Sequence, residues 1–184
     1  MPESRRGRDI PVKIYSLAST PTDAIVFLEE ADGTRLLPIW IGPVEGQAIA
    51  IKFSGLTIPR PFTHDLLVSV VTAVGYKFEK VVIDRLEDHT YYAKLHLRSG
   101  EKTAVIDSRP SDAMAVAVRV ACDIFVSEQV FNASQILSKP ITEDELKDFK
   151  DKLKDLKPGD IIGGQTVEGD DAPPLSGEED PGQK

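Results

Sequence analysis

The side chains equipped for chemistry gather in two short stretches, PRPFTHD at residues 59–65 and DSRPSD at residues 107–112. Asp65, Asp107 and Asp112 offer the oxygen ligands that a hard divalent cation takes, and Glu45, near the start of an earlier helical pattern, is a fourth such carboxylate. His64 is the natural general base, because an imidazole titrates near pH 6.5. Arg60 and Arg109 could grip an anion by forked hydrogen bonds, with Ser111 adding a hydroxyl. Each residue also has a plainer reading. On that reading Ser111 and Asp112 only start a helix and complement its dipole, Asp107 and Arg109 pair with each other or with loop backbone, and Arg60 bonds loop carbonyls. No His-Glu-x-x-His or paired-cysteine motif is present.

An internal comparison shows which of these residues the fold does not require. Under an offset of 67, PVEGQAIAIK (43–52) lies on PSDAMAVAVR (110–119) without a gap, and Gly33 falls on Gly100, Ile39 on Ile106 and Leu28 on Leu95. Each copy reads as three strands, a helix and a second helix, with the repeats spanning about 12–75 and 79–139. In the first copy the strand ends in WIGPVE and in the second in DSRPSD, so Asp107, Arg109 and Ser111 stand where Trp40, Gly42 and Val44 stand. The following helix reverses the asymmetry, with Arg60, His64 and Asp65 matched by Ser127, Phe131 and Asn132. Each copy thus has one polar corner, and a pseudo-twofold arrangement would let the two face one cleft.

The elements that position these corners follow from periodicity and turn residues. The first copy has a strand VKIYSLAS, a hairpin AIVFLEEADGTRLLPIWI turning at Asp32-Gly33, and a helix from about Val44 to Phe53. The second has KVVIDRLE, a hairpin TYYAKLHLRSGEKTAVID turning at Ser99-Gly100, and a helix from about Ser111 to Ala121. These alanine-rich helices are apolar on most sides, which predicts burial. Thr63 is placed as the N-cap of a further helix whose stripe is Leu66, Leu67, Val70, Val71 and Val74, and SEQVFNASQIL as its counterpart. Trp40 belongs to the core, His89 and His96 to the surface, and at most one of Tyr91 and Tyr92 should face a ligand, since neighbours alternate across a strand. The fold class is α+β with a mainly antiparallel sheet.

Beyond residue 139 the character changes. ITEDELKDFKDKLKDL carries Leu146, Phe149, Leu153 and Leu156 at helical spacing, so residues 140–160 are expected to hold an amphipathic helix. The stretch from 161 to 184 is rich in Gly, Pro and acids and reads as a disordered tail. Residues 140–184 hold thirteen acids against six lysines, so they account for nearly all of the net charge of −8 and leave the body close to neutral. The overall charge argues against a broad nucleic-acid surface, an objection that the nearly neutral body softens. Cys122 is the single cysteine, which excludes an intrachain disulfide. No apolar run approaches the roughly 20 residues of a membrane span, and a cytoplasmic protein is expected.

LPIWIGPVEGQAIAI, IPRPFTHDLL, VVIDRLEDHTYYAKL and DSRPSDAMAVAVR together resemble the bifunctional nuclease domain family, from about Lys13 to Phe131. The signatures PRPxTHDL and RPSDA are specific as a pair. The resemblance implies cleavage of DNA and RNA with low sequence specificity, and such hydrolysis would use Mg²⁺ or Mn²⁺. In that chemistry His64, Asp65, Asp107 and Asp112 are the expected catalytic set. Asp65, Asp107 and Asp112, with Glu45 behind them, would hold the metal, and Arg60, Arg109 and Ser111 the phosphate. The competing expectation is a non-enzymatic regulatory module that uses the same corners to bind a small anionic ligand or a partner protein. Exposed sheet edges further predict self-association, with a dimer the commonest outcome.

Overall fold

The computed structural model describes residues 8–20, 22–31, 33–140 and Asp148. The expected helix within 140–160 and the tail from 161 lie outside the described residues. Within them the fold is α+β: eight strands form one sheet, and four helices accompany it. In chain order the elements are β1 (Asp9–Ser19), β2 (Ala24–Glu30), β3 (Arg35–Ile41), α1 (Pro43–Phe53), α2 (Thr63–Ala73), β4 (Lys77–Glu87), β5 (Thr90–Ser99), β6 (Lys102–Ser108), α3 (Pro110–Val120), β7 (Asp123–Ser127), α4 (Glu128–Ala133) and β8 (Leu137–Ser138).

Two antiparallel meanders make most of the sheet, whose order is β6-β5-β4-β7-β1-β2-β3-β8. Their turns use the residues that tight turns demand. Gly33 and Gly100 have φ of 75° and 59°, and the two-residue β4-β5 turn holds Asp88 and His89 at φ 45° and 60°. The meanders meet through β7, antiparallel to β1 and parallel to β4, the one parallel pair among the described residues. β3 and β6, like α1 and α3, begin and end 67 residues apart.

β7 was not expected from the sequence. Its five residues, DIFVS, are too few for a periodic signal, and the matching segment of the first half, LTIPR, carries a proline and stays irregular. Ser127 ends β7 and caps α4, its Oγ accepting the Val130 N–H at 3.3 Å. α4 is therefore shorter than SEQVFNASQIL suggested, and residues 137–138 pair with β3 instead.

The helices share one layer but not one depth. α3 lies between α1 and α2 and packs on β4, β5 and β7, so Ala113 through Ala117 are all buried. This burial is why α3 consists mainly of small apolar residues. α1 buries only Gly46 and Ile49, against the expectation that both alanine-rich helices are buried, and α2 buries none of its residues. The core lies beneath α3, where Met114 and Val116 meet Val81, Ile83, Leu95 and Ile124.

Close approach fixes α1. A Cβ on Gly46 would stand 2.5 Å from the Cβ of Ala24 in β2, closer than packed carbons tolerate. Alanine at a helical glycine ordinarily gains about 1 kcal/mol. Here Gly46→Ala is expected to destabilise the protein by roughly 1–3 kcal/mol through overpacking, measurable by urea denaturation.

Candidate functional site

Local structure explains how the polar residues come together. Gly42 and Arg109 are the N-cap residues of α1 and α3, each followed by proline, whose fixed φ suits the first helical turn. Neither cap uses a side chain. The Arg109 guanidinium is therefore free to turn back over its own helix. Its Nε and Nη2 donate to Asp112 Oδ2 and Oδ1 at 2.8 and 3.2 Å, and its Nη1 donates to Glu45 Oε1 at 2.9 Å. Arg109 thus bridges the first turns of α1 and α3.

The first turn of α2 completes the cluster. His64 Nε2 lies 3.1 Å from Asp112 Oδ1, joining residues 48 positions apart in sequence. Burial raises the Asp112 pKa, but the hydrogen bonds from Arg109 and His64 outweigh it and hold the carboxyl below its ordinary range. The hydrogen bond to Asp112, followed by that to Glu45, raises Arg109 further above its already high value. Asp112 is therefore an anion that orients an imidazole on one side and a guanidinium on the other.

The cluster sits where two clefts meet. A larger one of about 550 Å³ runs toward Phe78, Tyr91, Tyr92, Leu95 and Ile106, and also contains Asp107 and Ser108. A smaller one of about 420 Å³ runs toward Val44, Glu45, Gln47 and Phe62. Thr63, His64, Arg109 and Asp112 line both. Tyr91 and Tyr92 both line the larger cleft, contrary to strict alternation. They lie at the end of β5 opposite a register shift between Ile83 and Arg85 of β4, and such a bulge re-aims neighbouring side chains.

Other expected site residues stand elsewhere. Asp65 is on the far side of the α2 start: its Oδ2 accepts the Phe62 N–H at 3.0 Å and its Oδ1 the Arg119 Nε at 2.9 Å. Phe62, not Thr63, is the N-cap residue of α2. Ser111 is 4% exposed on the packed face of α3 and lines neither cleft, and exposed Arg60 lines neither as well. Asp107 is exposed in the larger cleft, and no hydrogen bond or ion pair engages its carboxylate among the described residues.

Arg119 was not singled out from the sequence, where it looks like an ordinary cation in a helix's last turn. Its side chain is 3% exposed, and besides Asp65 it donates to the carbonyls of Ala48 and Ala115 at 3.1 and 2.8 Å. It therefore fastens α1, α2 and α3 together and sets the position of His64 through α2. Asp65 shares in this. Burial raises its pKa, but the Phe62 N–H and Arg119 outweigh burial and keep it below the usual carboxylate range. A depressed carboxylate stabilises the fold above the unfolded-state pKa, near 3.9, and loses that contribution as pH falls through its folded value. The stability gap between wild type and Asp65→Asn is thus expected to be full at pH 7 and to shrink below about pH 4, read by denaturant titration at each pH.

The metal expectation meets a divided set of ligands. Among the described residues no three His, Cys, Asp or Glu side chains converge to hold an ion, and Asp65 has both oxygens committed. The larger cleft nevertheless carries the unengaged carboxylate of Asp107, whereas Asp112 spends both oxygens on His64 and Arg109, and Glu45 in the adjoining cleft gives Oε1 to Arg109. That donor set fits a largely hydrated Mg²⁺, which takes one or two carboxylates and completes its shell with water and substrate oxygens. It does not fit a closed protein cage.

Residues 26–153 match the family model described as the bifunctional nuclease domain. Two relatives, uncharacterised proteins from two strains of Mycobacterium tuberculosis, are 37% identical over 146 residues, covering 74% of this chain and 87% of theirs. Bifunctional nuclease 1 of Oryza sativa subsp. indica is 29% identical over 115 residues, covering 61% of this chain and 35% of that protein. With the model match spanning the sheet from β2 onward and all four helices, the chain belongs to the bifunctional nuclease domain family.

Proposed function

We propose that the cleft at His64, Arg109 and Asp112 hydrolyses phosphodiester bonds in DNA and RNA with little sequence preference. The observation that carries this reading is Asp112 bonded at once to an imidazole and a guanidinium at the junction of two open clefts. In the neutral tautomer that donates Nε2–H to the Asp112 carboxylate, Nδ1 carries the lone pair that would take the proton of an attacking water. Arg109 spends three of its five N–H groups on Asp112 and Glu45, which leaves one on each terminal nitrogen for phosphate oxygens. Tyr91 and Tyr92 give the larger cleft aromatic walls on which a base can stack.

Asp107 would hold a largely hydrated Mg²⁺ or Mn²⁺ in the larger cleft, which when bound supplies positive charge for the phosphate oxygens. The charge balance makes that cation necessary to this reading, because three carboxylates around one guanidinium repel a phosphodiester. Asp107→Asn is accordingly expected to raise the Mg²⁺ concentration for half-maximal cleavage by about tenfold or more, the scale of a lost ligand interaction. An unchanged metal requirement with full activity would remove Asp107 from the site. The matched ranges of β3 with β6 and α1 with α3 support an internal duplication in which only one helix start acquired the loaded sequence.

The same excess of carboxylates carries a second reading, a binding module without catalysis for a cationic ligand or partner. Nucleic-acid affinity in the nuclease reading must fall as salt rises, because phosphate contacts release counterions. A salt-independent affinity would favour the binding module.

A further inference from the structure

Ten large apolar side chains are exposed among the described residues, and all of them belong to α1, the loop after it, α2 with its end, or edge strand β6. Val44 and Phe62 flank the smaller cleft and Leu67 and Ile106 the larger, with His64 between them, whereas Val105 points to the other face of the sheet from Ile106. At roughly half-exposure each, the nine on the helix side present on the order of 700 Å² of apolar surface, more than the largest patch of a typical monomer and close to one partner's share of a standard interface.

α2 makes the need for a cover acute. An isolated helix of eleven residues is marginal in water, yet none of its residues is buried, and Leu66 and Val70 are 56% and 51% exposed. The sequence THDLLVSVVTA holds no Lys, Arg or Glu, and its Asp65 and His64 are already tied to Arg119 and Asp112. A face depleted of charge resembles the centre of a protein interface. It offers no pattern of charges to select an unlike partner, whereas an uncharged apolar face is complementary to itself about a twofold axis. β6 adds an edge strand whose outer side pairs with nothing among the described residues.

We infer that this face is the dimer interface, with α2 of one copy seated against the α1, α2 and β6 face of a second. A second copy there covers the apolar rim of both clefts and narrows the approach to His64 and Arg109. The inference rests on surface chemistry and holds whichever reaction or ligand the clefts serve.

Light scattering on the full chain at micromolar concentration tests it. Wild type is expected at twice the 20.2 kDa of one chain. Val70→Asp and Leu66→Asp, each shown folded by circular dichroism, are expected at the single-chain mass, because a buried unpaired charge breaks the contact. Asn132→Asp, on an exposed position of α4 outside the patch, should keep the doubled mass. A monomeric wild type, a trimer or larger assembly, or a Val70→Asp variant that stays dimeric overturns the inference. So does a monomer whose α2 amides resist hydrogen exchange, since the chain's own residues after 140 would then be the cover.

Discussion

Replacing His64 by asparagine is expected to lower kcat/KM for phosphodiester cleavage by roughly 10²–10⁴, the usual yield of a positioned general base, or about 3–5 kcal/mol of transition-state stabilisation. The fold should survive. His64 sits in the first turn of α2 with a side chain 15% exposed, and it bonds to Asp112, which keeps Arg109 when the imidazole is gone. Asparagine cannot accept a proton at neutral pH, so a structural contribution from its hydrogen bond would not restore the rate. Melting temperature measured beside activity separates the two: a loss of rate at unchanged stability assigns His64 to the chemistry, and parallel losses assign it to packing.

The second large effect is on stability. Arg119→Met should destabilise the protein by about 3 kcal/mol, at the lower end of the range for breaking a buried ion pair because Asp65 keeps some contact with water. It removes the bond to Asp65 and the donors to Ala48 and Ala115, so three helices lose their common fastening. Met retains most of the apolar stem, which confines the loss to the charged head. For a domain of this size a melting temperature about 10 °C lower is expected by calorimetry. The site should suffer as well, since α2 carries His64. A stability loss below about 1 kcal/mol would mean that apolar contacts alone hold α2 on α3.

Much of this architecture was legible in the residues. The hairpins follow from alternating apolar residues around Gly33 and Gly100, and both proline-led helices from a short polar start followed by alanine-rich turns. What periodicity could not convey was depth. α1 and α3 carry almost matching sequences, yet α3 is central and buried while α1 and α2 flank it. That difference is set by the sheet order, in particular by β7, which inserts between the two meanders and is too short to be read as a strand.

The candidate site was legible in part for the same reason. His64, Arg109 and Asp112 lie in the two polar stretches and meet in space. Asp65 adjoins His64 in sequence, but successive positions on a helix point about 100° apart, which turns it toward Arg119 and away from the cleft. Ser111 next to Asp112 goes to the packed face by the same rotation. The tie between Arg109 and Glu45 has no local signal, because it joins the first turns of two helices 64 residues apart.

The most direct test of the central claim is cleavage of a labelled single-stranded RNA and a DNA duplex by the full chain with Mg²⁺, Mn²⁺ or EDTA, beside identically purified His64→Asn and Asp107→Asn. Cleavage of both substrates by wild type, stopped by EDTA and lost in His64→Asn, is the predicted result. Cleavage of equal strength in wild type and His64→Asn, or none by wild type with either metal, would contradict it.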